Sequence, residues 1–367
     1  MGNKSMSSFE WLLEKFCPNG VTYRKVEDIS KTLTPKTKVK SHGYLKSGKF
    51  PVIDQGQDYI GGYTNEEDAF PEGEYIIFGD HTCVVKFVDF PFVQGADGVK
   101  IIVPKEGVFC KYLYYCMSNI RMDVGYARHW SKMRTEKIPL PPLPVQHEIV
   151  RILDHFTELT AELTAELTAR RKQYAYYRDA LLTFGGEVEY KSIMEIAPPR
   201  RGVRVVRNQL EKTGKFPVFQ NSIVPLGFYE KSNCGANKTF IITAGAAGEV
   251  GYSSTAFWAA DDCYYFDCTD KILDRFLYFV LTSKKTYLSG QIRKASIPRL
   301  GRNSIEKLVI GIPPLAKQRE IVSILDRFDA FCNDLTSGLP AEIKARKQQY
   351  EYYRNKLLSF QEAKDDV

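Results

Sequence analysis

The stretch that decides the fold is Gln146-His-Glu-Ile-Val-Arg-Ile-Leu-Asp-His-Phe156, because it returns as Gln318-Arg-Glu-Ile-Val-Ser-Ile-Leu-Asp-Arg-Phe328. Eight of the eleven positions are identical, and the two copies lie 172 residues apart. Each copy follows Pro-Pro-Leu, and each leads into the phrase Gln-Tyr-x-Tyr-Tyr-Arg, which begins at Gln173 and at Gln349. Such a repeat in a chain of 367 residues indicates a tandem duplication.

The segments before these copies also repeat, more weakly. Gly48-Lys-Phe-Pro-Val52 returns as Gly214-Lys-Phe-Pro-Val218. The chain order is therefore globular domain, helix, globular domain, helix. Short apolar runs bounded by Gly, Pro and Asp predict strands at Tyr75–Phe78, Val84–Val88, Val99–Val103, Lys238–Thr243, Val250–Tyr252 and Cys263–Asp267. Helices are expected within the domains at Phe9–Phe16, Lys111–Asn119 and Asp274–Ser283.

The repeated segments have the pattern of long paired helices. Apolar residues from Ile149 to Leu181 recur at alternating steps of four and three, with interruptions at Thr160 and Arg170, which is typical of a coiled-coil seam. A helix over 146–184 would be about 58 Å long. We expect the two copies to pair antiparallel, with one domain at each end and a pseudo-twofold relation between the halves. The alternative is that each helix packs on its own domain.

Two local features modify these helices. Gly338 and Pro340 should interrupt the second one. The first contains a short repeat, Thr160-Ala-Glu-Leu163 followed by Thr164-Ala-Glu-Leu167. Four residues advance a helix by about 6 Å and about 40° beyond a full turn, so the copy number of this unit would set domain separation and rotation together. A helix-forming filler with Leu on one face is the alternative interpretation.

Composition limits the class of protein. Lys and Arg total 51 against 44 Asp and Glu, which gives a net charge of +7. No apolar run approaches the roughly 20 residues of a membrane span, and the first 17 residues contain no apolar signal core. The eight Cys include no C-x-x-C pair, so we interpret them as reduced thiols and expect a cytoplasmic protein.

Several motifs approach catalytic or metal-binding patterns without completing them. Gly43-Tyr-Leu-Lys-Ser-Gly-Lys-Phe50 resembles a phosphate-binding loop, but Phe50 lacks the hydroxyl that would bind magnesium. His81 and Cys83 form a conceivable metal pair, yet the second domain has Ala246 and Gly248 at the corresponding positions. We therefore expect no catalytic residues and no metal site.

Basic and amide side chains in expected loops indicate a nucleic-acid surface. Lys and Arg neutralise phosphates, while Gln, Asn and Arg contact base edges. The candidate DNA-binding residues of the first domain are Lys36, Lys38, Lys40, Tyr44, Lys46, Gln55, Gln57, Arg128, His129, Trp130, Lys132 and Arg134. Those of the second are Arg200, Arg201, Arg204, Gln220, Asn221, Arg293, Lys294 and Arg299. For each cluster the alternative is a solvated basic face.

The repeated helix motifs, the Gln-Tyr-x-Tyr-Tyr-Arg endings and the Thr-Ala-Glu-Leu unit together resemble the specificity subunit of type I restriction–modification systems. The resemblance extends from about Val21 to Phe360. It implies an α+β protein with two tandem-repeated α/β target recognition domains, at 1–145 and 186–312. Two long antiparallel coiled-coil helices, at 146–185 and 313–362, would separate them with pseudo-twofold symmetry.

The resemblance also implies a function. Each target recognition domain would read one half of a bipartite, asymmetric double-stranded DNA target. The paired helices would set the half-site spacing and dock two modification subunits, which are adenine methyltransferases. A restriction subunit, a translocase and nuclease, would complete the assembly. This chain would be non-catalytic and bind no cofactor, with S-adenosylmethionine, ATP and Mg on the partner subunits.

Two other classes of function remain to be weighed against this one. The first is an enzyme, either a nucleotide hydrolase acting through the loop at 43–50 or a methyltransferase. The second is a coiled-coil scaffold protein whose domains bind other proteins. The resemblance favours the DNA-recognition subunit over both.

Overall fold

The computed structural model describes residues 8–95, 98–122, 128–186, 188–333 and 338–363, and the chain divides into two compact units. The first unit contains Met1–Glu162 and Lys344–Val367, and the second contains Leu163–Ile343. Each unit therefore combines one globular domain with parts of both long helical segments.

The globular domain of the first unit is built from short strands and short helices. Its helices are α1 (Ser8–Phe16), α2 (Val26–Ile29), α3 (Cys110–Asn119) and α4 (Trp130–Met133), with a 3-10 turn at Ser41–Gly43. Its strands are β1 (Thr22–Lys25), β2 (Ser30–Leu33), β3 (Phe50–Ile53), β4 (Gly62–Thr64), β5 (Tyr75–Gly79), β6 (Val85–Val88), β7 (Val93–Gln94), β8 (Val99–Pro104) and β9 (Lys137–Leu140).

The central strand β5 organises the first domain. The order β2-β8-β5-β6 forms an antiparallel sheet, the order β4-β3-β7 forms a mixed sheet, and β1 pairs with β9. Because side chains alternate along a strand, Ile76 and Phe78 pack in the core that contains α3. Tyr75 and Ile77 face the other way, into a second core with Ile53 of β3. This two-sided burial explains why β5 reads as a continuous apolar run.

The long helix α5 (Leu143–Leu181) follows β9 and contains 39 residues. The sequence predicted the same length, displaced by three residues toward the C-terminus. The helix starts earlier because Pro144 lies in its first turn, where a missing backbone N–H costs nothing. Val145, Ile149 and Leu153 are buried in the core of the first domain, so this end of α5 is also a domain helix.

The second unit repeats the topology of the first. Its sheets have the orders β11-β17-β14-β15 and β13-β12-β16, with a β10-β20 pair and one further hairpin, β18-β19. The strands are β10 (Glu189–Ser192), β11 (Pro199–Arg201), β12 (Phe216–Phe219), β13 (Gly227–Tyr229), β14 (Lys238–Ile242), β15 (Val250–Ser253), β16 (Trp258–Ala259), β17 (Cys263–Phe266), β18 (Ile292–Arg293), β19 (Arg299–Leu300) and β20 (Val309–Ile312). The helices are α6 (Ile193–Ile196), α7 (Asp274–Ser283), α8 (Lys285–Gly290) and α9 (Arg302–Glu306), with a 3-10 turn at Arg207–Gln209.

The second long segment consists of α10 (Leu315–Asn333) and α11 (Gly338–Leu357). Gly338 has a φ of +77°, which a right-handed helix does not contain. A Cβ at this position would lie 2.6 Å from the Phe331 carbonyl oxygen, so only glycine fits. The predicted interruption is therefore present, and residues 334–337 lie outside the described part of the chain.

The long helices pair antiparallel within each unit. In the first, Phe156 of α5 stacks on Tyr353 of α11 with 5.3 Å between ring centroids. In the second, Tyr177 of α5 stacks on Phe328 of α10 at 6.0 Å. The pairs are reciprocal, because each joins a Phe from the start of one repeat to a Tyr from the end of the other. The alternative interpretation of the sequence was that each long helix packs on its own domain. For α5, this holds only for its first part.

A buried glutamine joins each long helix to its domain. The side-chain oxygen of Gln146 accepts a hydrogen bond at 2.8 Å from the N–H of Phe109, the residue that immediately precedes α3. Its amide nitrogen donates to the carbonyls of Gly107 and Pro141. Gln318 repeats all three bonds, with the Leu273 N–H at the start of α7 and the carbonyls of Lys271 and Pro313. The duplicated Gln is therefore a structural clamp.

An ion pair repeats beside each clamp. Lys111 of α3 binds the Asp154 carboxylate of α5 at 2.8 Å. Arg275 of α7 binds Asp326 of α10 at 2.7 Å, and its guanidinium also lies 4.6 Å from the ring of Tyr252. The scaffold is therefore retained in both halves with small chemical changes. No described helix is long and apolar enough to cross a membrane.

Candidate nucleic-acid interface

Three loops of the first domain meet at one edge. They are the loop 54–58 after β3, the turn 79–84 between β5 and β6, and the start of α4. The Thr82 hydroxyl donates to the Gln55 carbonyl oxygen at 2.6 Å. The Asp80 carboxylate accepts from the Trp130 N–H at 2.7 Å, and the Asp80 carbonyl accepts from the His129 N–H at 2.8 Å. Separate basic and amide segments of the sequence are thereby joined into one surface.

The lysine-rich segment 36–46 is attached to the same edge. The Tyr44 hydroxyl donates to the Asp54 carboxylate at 3.2 Å, and the backbone at Lys38 bridges to Gln94 beside β3. Tyr44 is half-buried by this contact. The exposed predicted residues of the first domain are Lys36, Lys38, Lys40, Lys46, Gln57, Arg128, Lys132 and Arg134.

Three predicted residues of the first domain are engaged within it. His129 is 2% exposed, because the segment before α4 folds under Asp80, and its side chain is removed from the surface. Trp130 packs against Phe78. The Gln55 side-chain oxygen accepts from the His81 N–H at 3.2 Å, whereas Gln57 is exposed.

The corresponding edge of the second domain also consists of three segments. The Ala246 N–H donates to the Asn221 carbonyl at 3.0 Å, and the Gly245 N–H donates to the Pro298 carbonyl at 3.3 Å. Gly245 has a φ of +82°, and a Cβ there would lie 2.9 Å from Asn221. Glycine is therefore required for the loop 220–224 to approach the turn 243–249. The hairpin β18-β19 completes the edge.

Adjacent aspartates connect predicted residues of this second edge. Arg201 donates to the Asp261 carbonyl at 3.0 Å, and the Gln220 amide donates to the Asp261 carboxylate at 3.4 Å. Arg299 lies 3.8 Å from the Asp262 carboxylate. These three side chains therefore share one surface. The exposed predicted residues of the second domain are Arg200, Arg201, Arg204, Asn221, Arg293, Lys294 and Arg299.

Two basic pairings differ from the sequence interpretation. Arg200 forms an exposed ion pair with Asp267 at 2.7 Å, and Arg134 approaches Glu27 of α2 at 3.6 Å. Exposed ion pairs are weak, so phosphates can compete for both guanidinium groups. The clusters 128–134 and 293–299 are also not equivalent. The first lies on α4, whose counterpart before the last strand is α9, and the second lies on β18-β19.

A family model, the type I restriction modification DNA specificity domain, matches residues 18–170 and 186–345. The chain belongs to this family of specificity subunits. Each match covers one globular domain and much of the helix after it, so the duplication in this specificity subunit is a duplication of a DNA recognition domain.

Individual relatives agree with the family. The chain is 32% identical to the type I restriction enzyme EcoR124I/EcoR124II specificity subunit of Escherichia coli, over 97% of this chain and 98% of that protein. Its fold is similar to the crystal structure of a type I S subunit from M. genitalium, with a TM-score of 0.64 and 16% identity over 92% of this chain and 96% of that one. A second structure, from a study of type I restriction–modification complex assembly, has a TM-score of 0.60 and 14% identity, over 93% and 98% of the two chains.

One residue of this specificity subunit escaped the sequence interpretation. Lys86 of β6 is 5% exposed and lies beneath the loop 54–58. Burial lowers the pKa of its ammonium, while the nearby carboxylates of Asp54 and Asp58 act in the opposite direction. The sequence feature that could have indicated this buried lysine is its place between Val85 and Phe87 in an apolar strand. The equivalent position in the second domain is Gly251.

The cysteines of the specificity subunit are packed as neutral thiols. All eight are free, and five of them are buried. Burial raises the pKa of the thiols of Cys110, Cys116 and Cys234 to about 12. Thiols of this kind are poor nucleophiles at neutral pH. Within the described ranges, no three His, Cys, Asp or Glu side chains are grouped so that they would hold a metal ion.

Proposed function

We propose that this specificity subunit reads a bipartite DNA target, one half through each globular domain, and carries no catalytic group itself. The observation that carries the proposal is the contrast between scaffold and loops. Gln146 and Gln318 keep the same three hydrogen bonds. The equivalent loops differ, with Asp-Gln-Gly-Gln at 54–57 and Gln-Asn-Ser-Ile at 220–223. Different loops on one scaffold favour two different half-sites.

The exposed amides at these loops are the groups we assign to base reading. Gln57 and Asn221 are both exposed at their edges. An Asn or Gln side chain forms a bidentate pair with adenine in the major groove, and neighbouring Lys and Arg contact phosphates. Arg128 and Lys132 would supply phosphate contacts in the first domain, and Arg293 in the second.

The long helix is the element we assign to half-site spacing. α5 runs without interruption from Leu143 to Leu181, and the boundary between the two units falls after Glu162. That boundary lies inside the Thr-Ala-Glu-Leu repeat of 160–167. A continuous helix transmits any change in its length as a translation and a rotation together. The number of repeat units would therefore determine the gap between the half-sites.

Equivalent exposed side chains on the helices support the docking of two modification subunits. Tyr176 is 71% exposed and Tyr352 is 61% exposed, and each lies three residues after a Gln that accepts a bond from an Arg. Between the two copies, exposed neighbours have diverged, as at Asp179 and Asn355. Tyr and Arg are frequent anchors at protein interfaces. Two equivalent faces that keep the same exposed Tyr suit two copies of one partner.

The chemistry of the system would reside on the partner chains. The modification subunits would bind S-adenosylmethionine and methylate adenine, and a restriction subunit would use ATP and Mg. This chain would supply target selection to both.

Loop substitutions test the assignment of half-sites. In the complex with modification subunits, Gln57→Ala should relax base preference in one half-site only, and Asn221→Ala in the other only. A lost bidentate contact should reduce discrimination by about tenfold or more. The measurement is sequencing of a randomised duplex library after methylation. Each variant is the control for the other, and an effect of either on both half-sites would contradict the proposal.

A further inference from the structure

The ammonium of Lys86 joins both ends of the loop 54–58. Its Nζ donates to the Asp54 carbonyl at 2.8 Å and to the Asp58 carbonyl at 2.6 Å. The same atom lies 3.7 Å from the Asp54 carboxylate. The loop that leaves β3 is thus closed over one buried charge, with Gln57 exposed on its outer side.

Other contacts hold the two ends of this loop. After the loop, the Tyr59 hydroxyl donates to the Phe87 carbonyl, and the Gly61 N–H donates to the Val52 carbonyl. Further bonds hold its beginning. The Asp54 carboxylate accepts from the Gly56 N–H at 2.9 Å and from the Tyr44 hydroxyl. The Thr82 hydroxyl donates to the Gln55 carbonyl at 2.6 Å. Lys86 adds the link from this fixed beginning to Asp58, immediately after Gln57. The buried ammonium is therefore the group that bonds the backbone on both sides of Gln57.

The second domain fills the corresponding space in another way. Phe87 and Tyr252 are equivalent, since they face the equivalent cations Lys111 and Arg275. Gly251 is therefore the counterpart of Lys86. A Cβ at Gly251 would lie 2.2 Å from the Phe240 ring, which occupies this space and stacks on Phe219. The loop of the second domain follows a stacked pair of aromatic rings, whereas the loop of the first domain is bonded to a charged ammonium.

We infer that Lys86 is a positioning residue for base recognition by the first domain, acting through the loop 54–58 without contacting DNA. The inference rests on the proposed function, because it assigns a specificity role within one reading surface. Only a donor with several N–H groups can bond both loop carbonyls at once. A neutral side chain of similar length fills the space but leaves the loop ends unlinked.

The substitution Lys86→Met removes the donor and keeps an unbranched side chain of similar length. It also leaves the Asp54 carboxylate without its ion-pair partner. Removing one partner of a buried pair can be strongly destabilising, so the stability of the variant is measured alongside and a second variant is needed. Lys105→Met is the matched control, because Lys105 also donates to two backbone carbonyls, those of Glu27 and Asp28, but at an exposed site beside α2. Thr82→Val is a second variant, which loosens the same loop at Gln55.

The test measures adenine methylation of a duplex library by the complete complex, with both half-sites randomised. Lys86→Met should reduce discrimination at the base positions read by the loop by about tenfold or more, the loss expected when hydrogen bonds from a charged donor disappear. Other positions of the first half-site and the whole second half-site should keep their preferences. Lys105→Met should match the unmodified complex, and Thr82→Val should affect the same positions as Lys86→Met.

Several results would overturn the inference. One is a Lys86→Met complex that retains every base preference, and another is an equal loss at all positions of both half-sites. If Lys86→Met does not fold, Thr82→Val decides, and unchanged preferences in that variant count against the loop mechanism. Failure of the proposed function would look different. The complex with the unaltered chain would then already select a single uninterrupted site, and the Lys86→Met complex would select the same site.

Discussion

At the scale of single residues, the duplication separates structural from functional side chains. Gln146 and Gln318 are identical and fully buried, and they make the same bonds. Lys86 and Gly251 occupy equivalent positions in the two domains, but one has a charged side chain and the other has none. The loops above them also differ in sequence. The two domains of this chain can therefore be compared with each other, position by position. Identity at buried positions marks the scaffold, and divergence near the loops coincides with the surface that we propose to read DNA.

The clamp residue allows a stability prediction. Gln146→Leu leaves the Phe109 N–H and the Gly107 and Pro141 carbonyls without this partner. The free energy of opening at α3 should fall by about 3 kcal/mol or more, since each unsatisfied buried group costs about 1–3 kcal/mol. Hydrogen exchange of α3 amides measures it. The control Gln348→Leu, at an exposed site of α11, should change stability by no more than about 0.5 kcal/mol. Equal exchange in both variants would refute the role of the clamp.

At the scale of elements, the long helices were predictable and the surface beneath the loops was not. The seam of α5 repeats every 3.5 residues. Because the pattern recurs many times, the helix is predicted correctly even when its ends are misplaced by a few residues. The predicted strands at Tyr75–Phe78 and Lys238–Thr243 were also found, since a continuous apolar run needs burial on both faces. Buried Lys86 and His129 depend on which distant segment returns to cover them. A lysine between two apolar residues of a strand hints at burial, but the sequence does not say which segment covers it.

The alignment of the two domains along the chain explains why two basic clusters that match in the sequence lie on different elements. Arg128 and Arg134 match Arg293 and Arg299 when the two domains are aligned at one offset of 165 residues. The segment between α7 and β20 is longer than the segment between α3 and β9, so the offset changes within it and α4 corresponds to α9. A constant offset therefore fails wherever one domain has more residues between two equivalent elements than the other.

The Thr-Ala-Glu-Leu unit of α5 makes an element-scale prediction. Deleting Thr160–Leu163 shortens the helix by about 6 Å and rotates its far end by about 40°. The gap between half-sites should shorten by about one or two base pairs, given about 3.4 Å per base pair, and both half-site sequences should remain. Methylation mapping checks this, with Thr160→Ala as a control of unchanged length. Altered half-site sequences would refute the role of α5 as a ruler.

The exposed tyrosines make a second prediction at this scale. Tyr176→Ala and Tyr352→Ala should each weaken one of the two modification-subunit sites that we propose by about 30-fold, the effect of losing an anchor worth about 2 kcal/mol. Native mass spectrometry should then record complexes with one modification subunit instead of two. Tyr287→Ala, at an exposed tyrosine of α8, is the control. Full occupancy in both helix variants would exclude this docking face.

At the scale of the whole molecule, two recognition domains and two helical segments account for nearly all of the 367 residues. The net charge of +7 is modest for a protein that binds DNA alone. It suits a subunit whose affinity is shared with partner chains, because phosphate contacts dominate nucleic-acid affinity. Six of the 22 tyrosines lie in the duplicated helix ends, so the tyrosine content partly reflects the scaffold.

The most direct test of the account is a genome-wide map of methylated adenines in cells that contain the complete system. The account predicts two different half-sites, each of fixed sequence, separated by a constant number of unspecified base pairs. Removing this subunit should abolish all of that methylation. A single uninterrupted target, a palindromic target, or methylation that persists without this subunit would contradict the claim that its two domains read two halves of one site.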